Sequence, residues 1–186
     1  MALLARAGSG FDGRLRAVRT ADWTRPTPCA EWDVRALVNH LVTAQMTTVR
    51  LLDGATRDDV VALIGVDHLG DDPLASYARS SSAQLAAFQR PGALEQVLPH
   101  PAFDMPGSQL LDFRIGDALI HTWDLARAIA GDEELDLELV EFVWQSLEPL
   151  AALLPASGAF GAGPSGSVPD AADRQARLLD LAGRRP

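Results

Sequence analysis

The feature that most limits how this chain can fold is one predicted helix with polar side chains on two opposite sides. Apolar spacing predicts this helix from about Ser108 to Ala130, and Gly131 is placed to end it. At about 100° per residue, one side of the helix forms the expected solvent face and contains Gln109, Asp112 and Arg127. The nearly opposite side contains Arg114, Asp117, His121 and Asp124.

This second polar side requires a partner inside the protein, because a buried charge is costly unless it is paired or bound to a metal ion. Asp117 and His121 are four residues apart and therefore lie one turn apart on the same face. Such a pair is also typical of an ordinary charged hydrogen bond. A third candidate ligand from another helix is therefore needed before the pattern indicates a metal site. His40, at the edge of the apolar stripe of a predicted helix over 33–52, is the candidate. The alternative interpretation of His40 is a half-buried histidine that is hydrogen-bonded to a backbone carbonyl.

Two imidazoles and one carboxylate would leave coordination positions open for water or substrate. Such a site suits a divalent metal ion, Zn²⁺ first, with Ni²⁺ or another transition ion as alternatives. The other two histidines, His68 and His100, fall in predicted loops and are weaker ligand candidates.

The remaining pattern predicts an all-α protein. Further helices are expected over about 1–20, from Asp72 to before Pro91 and over about 136–154, with a bend at Pro149. The stretch 93–108 is expected to be a long connection with a short extended piece. We therefore predict a four-helix bundle over 1–155 that binds the metal. Residues 156–186 are expected to form a flexible C-terminal tail, whose short helix over about 171–182 packs on the bundle.

Composition excludes several classes of partner. The formal net charge of −9 and the lack of a basic cluster argue against nucleic acid. No apolar run approaches the roughly 20 residues of a membrane-spanning helix. The single cysteine, Cys29, rules out an internal disulfide and favours a cytoplasmic location. Cys29 itself is expected to be a small packed residue.

Three segments carry a resemblance to a known family: TPCAEWDVRALVNHL (27–41), GDALIHTWDLARA (116–128) and RLLDLAGRRP (177–186). With them the chain resembles the actinobacterial branch of the DinB-like superfamily, which includes mycothiol-dependent maleylpyruvate isomerase. The resemblance implies a DinB-like four-helix bundle with an extra helix or short tail. It also implies a central divalent metal ion at His40, Asp117 and His121, although the isomerases have Glu at the position of Asp117.

For function, the resemblance implies a mycothiol-dependent isomerase-like or transferase-like enzyme, with a small-molecule substrate and a low-molecular-weight thiol as cosubstrate. Asp124 would orient His121 or move a proton, and Arg114 would meet a substrate carboxylate. Alternatively, Arg114 and Asp124 form a buried ion pair that only stabilises the helix.

Two other functions stay open. One is a metal-binding protein without catalysis, in a structural or stress-related role. The other is assembly into a homodimer through the apolar face of the predicted fifth helix, which contains Phe142, Val143, Trp144 and Leu147. The alternative for this face is that it belongs to the core of the bundle.

Overall fold

The computed structural model describes residues 1–152, 154 and 163–186. Four long helices form the bundle: α1 (Ala2–Leu15), α2 (Val34–Leu52), α4 (Pro73–Phe88) and α5 (Gly107–Ala128). Helices α1 and α2 each pack against both α4 and α5. The predicted all-α bundle is thus confirmed. None of the helices in the described part of the chain has the length and apolar character that a membrane span requires.

Shorter elements connect and flank these helices. They are α3 (Arg57–Val61), an antiparallel hairpin of β1 (Val97–Pro99) and β2 (Asp104–Pro106), α6 (Leu137–Leu147), α7 (Arg174–Leu181) and 3₁₀ turns at Thr20–Asp22 and Glu148–Leu150. The hairpin is the extended piece expected within 93–108. Within the predicted helix over 136–154, α6 ends at Leu147 and the 3₁₀ turn that contains Pro149 follows, since proline has no amide hydrogen to donate.

Helix α1 contains three glycines, and one of them lies in a close helix contact. The hydroxyl of Tyr77, on α4, donates to the carbonyl of Gly8 at 3.1 Å. A Cβ atom at Gly8 would lie 3.1 Å from Oγ of Ser81, which is tighter than most Cβ contacts. The missing side chain therefore lets α1 and α4 approach closely.

Helix α2 has the N-terminal cap that its sequence predicts, and helix α5 has the predicted orientation. The carboxylate of Asp33 accepts a hydrogen bond from the amide of Ala36 at 2.8 Å and caps α2. On α5 the predicted solvent face is exposed, whereas Arg114, His121 and Asp124 are buried. The expected second polar face of α5 therefore points into the protein.

The C-terminal helix α7 covers the apolar face of α6. Leu178 and Leu179 of α7 are buried in the larger core cluster, together with Val143 of α6. The guanidinium groups of Arg174 and Arg177 lie 4.8 Å and 4.7 Å from the ring centre of Trp144. These contacts give that face partners within one chain. The domain boundary predicted between residues 155 and 156 lies outside the described residues and stays a prediction.

Candidate functional site

Helices α2 and α5 bring the three predicted metal ligands together. The Nε2 atom of His40 lies 3.3 Å from Oδ1 of Asp117, and Nε2 of His121 lies 3.4 Å from the same oxygen. The two imidazole rings meet edge to face with their centres 4.9 Å apart. One potential ligand atom from each residue lies within 4.8 Å of the others. The three side chains selected from the sequence therefore lie close together, and their role as metal ligands stays a prediction.

Asp117 is a largely buried carboxylate, and one of its oxygens makes no hydrogen bond. Its side chain is 13% exposed, and its Oδ2 has no hydrogen-bond partner among the described residues. Burial would raise the pKa of Asp117, but the charges of Arg114 and His40 and hydrogen bonds from both imidazoles outweigh it, so the pKa lies well below its usual value. A buried, ionised and partly unsatisfied carboxylate between two imidazoles is a donor set that fits a divalent cation.

Asp124 fixes the orientation of His121. Its Oδ2 lies 2.8 Å from Nδ1 of His121, which assigns the Nδ1 hydrogen to this bond and directs Nε2 towards Asp117. Burial alone would lower the pKa of His121, but hydrogen bonds with Asp117 and Asp124 raise it well above its usual value. In this state a proton on Nε2 occupies the position that a metal ion would take.

Arg114 and Asp124 do not form an ion pair with each other. The Nη1 atom of Arg114 lies 3.3 Å from Oδ2 of Asp117, and Asp124 pairs instead with Arg184. The Arg114 side chain is only 7% exposed, yet its Nε has no hydrogen-bond partner among the described residues. Its guanidinium carbon lies 5.2 Å from the ring centre of Phe113. Arg114 therefore retains an unsatisfied donor beside the three candidate ligands.

Sequence reasoning missed the contact of Trp32 with this site. The ring centre of Trp32 lies 4.7 Å from that of His40 and 5.9 Å from that of His121. Most residues between Thr24 and Asp33, among them Trp32 and Cys29, line a cleft of about 290 Å³. The His40 side chain is 34% exposed, so the site is reachable from solvent through His40. The spacing of Trp32 and His40 on either side of the Asp33 cap could have suggested their contact.

Cys29 differs from the packed residue that the sequence predicts. Its Sγ lies 3.3 Å from Oδ2 of Asp124 and 3.8 Å from Nδ1 of His121. Arg184, from the C-terminal segment, contacts both Cys29 and Asp124. The sequence offered no local signal for these contacts, because Arg184 is 60 residues from Asp124 and 155 from Cys29.

The two remaining histidines lie outside the group of three candidate ligands. Nε2 of His68 lies 3.0 Å from the carbonyl oxygen of Leu63. His100 accepts a hydrogen bond at Nδ1 from the amide of Ala102 at 3.3 Å. Burial, together with the positive charges of Arg114 and Arg57, lowers the pKa of His100 to about 4. Local structure thus holds His100 in its neutral form.

We expect His100→Gln to reduce the acid sensitivity of the fold. Below pH of about 6.5 the unfolded chain binds a proton at His100 that the folded protein does not bind until about pH 4. Stability should therefore fall as the pH drops through this window, by roughly 1 kcal/mol at pH 5 from this histidine, since solvent screens a partly exposed group. Urea unfolding of metal-free protein at pH 7 and pH 5 measures the effect. An equally steep decline in the variant would contradict it.

Comparison with known proteins extends over the region that contains the three ligands. The family model for the mycothiol maleylpyruvate isomerase N-terminal domain matches residues 4–126, which confirms the resemblance inferred from the sequence. Two uncharacterized proteins of Mycobacterium tuberculosis, from strains CDC 1551 / Oshkosh and ATCC 25618 / H37Rv, are each 28% identical over 134 residues. The alignment covers 72% of this chain and 69% of each relative. No solved structure matches the chain significantly.

Proposed function

Because the chain belongs to the mycothiol maleylpyruvate isomerase N-terminal domain family, we propose that it binds one divalent metal ion and uses a low-molecular-weight thiol in catalysis. His40, Asp117 and His121 hold the ion in this proposal. The reaction is an isomerisation or transfer on a small electrophilic substrate, with mycothiol as the thiol. Zn²⁺ is the preferred ion, since two imidazoles and one carboxylate suit it and leave a position open.

The observation that carries the proposal is the convergence of two imidazoles on Asp117, whose Oδ2 makes no hydrogen bond among the described residues and lies 3.3 Å from Nη1 of Arg114. Buried polar atoms in native proteins almost always have a hydrogen-bond partner, so an oxygen whose contact is an ion pair at 3.3 Å calls for an explanation such as a missing ion. The Nε2 atoms of both imidazoles lie 3.3 Å and 3.4 Å from the other oxygen of the same carboxylate, Oδ1. A cation at this point would satisfy the carboxylate and replace the proton on His121, which supports a metal rather than a simple hydrogen-bonded group.

A divalent ion supplies Lewis acidity here, which favours ionisation of a thiol cosubstrate at neutral pH. The partial exposure of His40 and the cleft beside Trp32 support access for a small molecule from solvent. Cys29 lines the same cleft and contacts Asp124, so its sulfur is part of the surroundings of the site.

Asp124 and Arg114 have separate roles in this proposal. Asp124 is fully buried, and both of its oxygens accept hydrogen bonds, which favours orienting His121 over moving a proton. Arg114 lies beside Asp117 through Nη1, and in this proposal the positive charge of its buried guanidinium attracts a carboxylate on the substrate. The arrangement thereby separates an anion-binding arginine from an orienting carboxylate.

The test is metal analysis of the wild-type protein, His40→Ala and His68→Ala. We expect about one ion per chain in the wild type and in His68→Ala. His40→Ala should lower the affinity at least about 10–100-fold, because even loss of a residue that only orients a ligand has an effect of this size. His68→Ala is the matched control. It makes the same substitution at a histidine whose Nε2 is 3.0 Å from the backbone carbonyl oxygen of Leu63 and which is not a candidate ligand.

Substrate conversion tests the thiol. Metal-loaded wild type should convert a maleylpyruvate-like substrate only when a low-molecular-weight thiol is present. A wild-type protein that takes up no divalent ion would overturn the proposal. Stoichiometric metal without thiol-dependent conversion would favour the alternative of a non-catalytic metal-binding protein.

A further inference from the structure

A second cluster of potential metal ligands lies beside the first and shares His121 with it. Sγ of Cys29, Nδ1 of His121 and Oδ2 of Asp124 lie within 4.8 Å of one another. Thiolate, imidazole and carboxylate are all ligands of Zn²⁺. An ion that enters the region therefore meets two donor groups, on opposite nitrogens of one imidazole.

The second cluster already contains a cation, the guanidinium of Arg184. Its Nε donates to Oδ1 of Asp124 at 3.1 Å and its Nη2 donates to Oδ2 at 2.7 Å, so the pair is bidentate. Nη2 also lies 3.4 Å from Sγ of Cys29. The side chain of Arg184 is only 9% exposed and that of Asp124 is fully buried. A metal ion could bind this cluster only by displacing a buried, permanently charged group.

The end of α7 holds Arg184 in this position. The amide of Gly183 donates to the carbonyl of Asp180 at 2.9 Å, and the amide of Arg184 donates to that of Leu179 at 2.8 Å. These two bonds form a Schellman motif, in which the left-handed conformation of Gly183 (φ +77°) turns the chain. Nη1 of Arg184 also donates to the carbonyl of Ala182 at 2.8 Å. The guanidinium is therefore anchored at both its backbone and its side chain.

We propose that Arg184 is a positioning residue that acts as an internal cation and prevents Cys29 and Asp124 from binding the metal. It confines the ion to Nε2 of His121, His40 and Asp117, and keeps Asp124 as the acceptor for Nδ1 of His121. This inference rests on the proposed function, because it assumes an ion at those three ligands. It adds a residue from the C-terminal segment to a site otherwise built from α2 and α5.

Cobalt substitution tests the inference, because a cysteine thiolate bound to Co²⁺ gives a charge-transfer absorption in the near ultraviolet. We expect no such band in Co²⁺-loaded wild type or in Arg185→Gln, the adjacent control, whose side chain is 55% exposed. Arg184→Gln should gain the band as Cys29 becomes a ligand. The double variant Arg184→Gln/Cys29→Ser should lose the band and bind Co²⁺ about 10–100-fold more weakly than wild type, since Arg184 no longer holds the Asp124 carboxylate that orients His121.

Two measurements on the wild-type protein keep the inference testable even if Arg184→Gln does not fold. The thiolate band in Co²⁺-loaded wild type would overturn it, as would protection of Cys29 from alkylation when the metal binds. A folded Arg184→Gln with the spectrum of the wild type would overturn it as well. In each case the wild type binds cobalt, so metal binding, the basis of the proposed function, stands. Failure of the wild type to bind cobalt would overturn the proposed function and this inference together.

Discussion

Asp124→Ala is expected to lower the free energy of unfolding by about 3–5 kcal/mol, the usual cost of removing one partner of a buried ion pair. The change leaves the guanidinium of Arg184 buried without its carboxylate and removes the acceptor for Nδ1 of His121. Chemical denaturation of the metal-free protein at neutral pH measures this effect without a contribution from metal binding.

Asp112→Ala is the matched control for this prediction. Asp112 lies on the same helix, α5, but its side chain is on the exposed face. The control should change stability by no more than about 0.5 kcal/mol, as is usual for surface substitutions. A loss of less than about 1 kcal/mol in Asp124→Ala would mean that Arg184 and His121 find other partners, and would contradict the assigned role of this carboxylate.

Gly107→Ala is expected to destabilise the protein by about 3 kcal/mol or more, at the upper end of the cost of overpacking. A Cβ atom at Gly107 would lie 1.9 Å from the carbonyl oxygen of Ala93, and this backbone atom cannot move away like a flexible side chain. The amide of Gly107 also donates to the carbonyl of Gln96 at 2.9 Å. The start of α5 is therefore fixed against the loop before the hairpin.

The same substitution at Gly10 is not expected to destabilise the protein. A Cβ atom at Gly10, within α1, would meet nothing within 4 Å. Alanine favours a helix interior over glycine by about 1 kcal/mol, so this variant should be as stable as the wild type or more stable. Thermal unfolding of both variants compares them directly. Similar melting temperatures for Gly107→Ala and Gly10→Ala would contradict the close contact at the start of α5.

The sequence predicted the bundle and the three candidate ligands because both depend on regular spacing. Asp117 and His121 are one helical turn apart, and the two polar sides of α5 indicated that one of them was buried. His40 could be selected because it borders an apolar stripe. The family inferred from the three sequence segments agrees with the family model that matches residues 4–126.

The remaining features depend on contacts that have no periodic signal. Arg184 reaches Asp124 through the turn that follows α7, and its neighbour Arg185 has the same local sequence context but a largely exposed side chain. No rule of spacing distinguishes the two. Helix α3, in contrast, was missed despite a local signal, since Thr56 and Asp59 form a capping box three residues apart.

The separation of the site residues along the chain has a consequence for the order of assembly. His40 and Asp117 are 77 residues apart, and Cys29 and Arg184 are 155 apart. Contacts that close such long loops lose chain entropy before they gain binding energy, so they form late when the chain folds. The ion of the proposed site would therefore bind a chain that has already reached its native topology. It would slow unfolding of the finished protein and would not serve as a template that begins its folding.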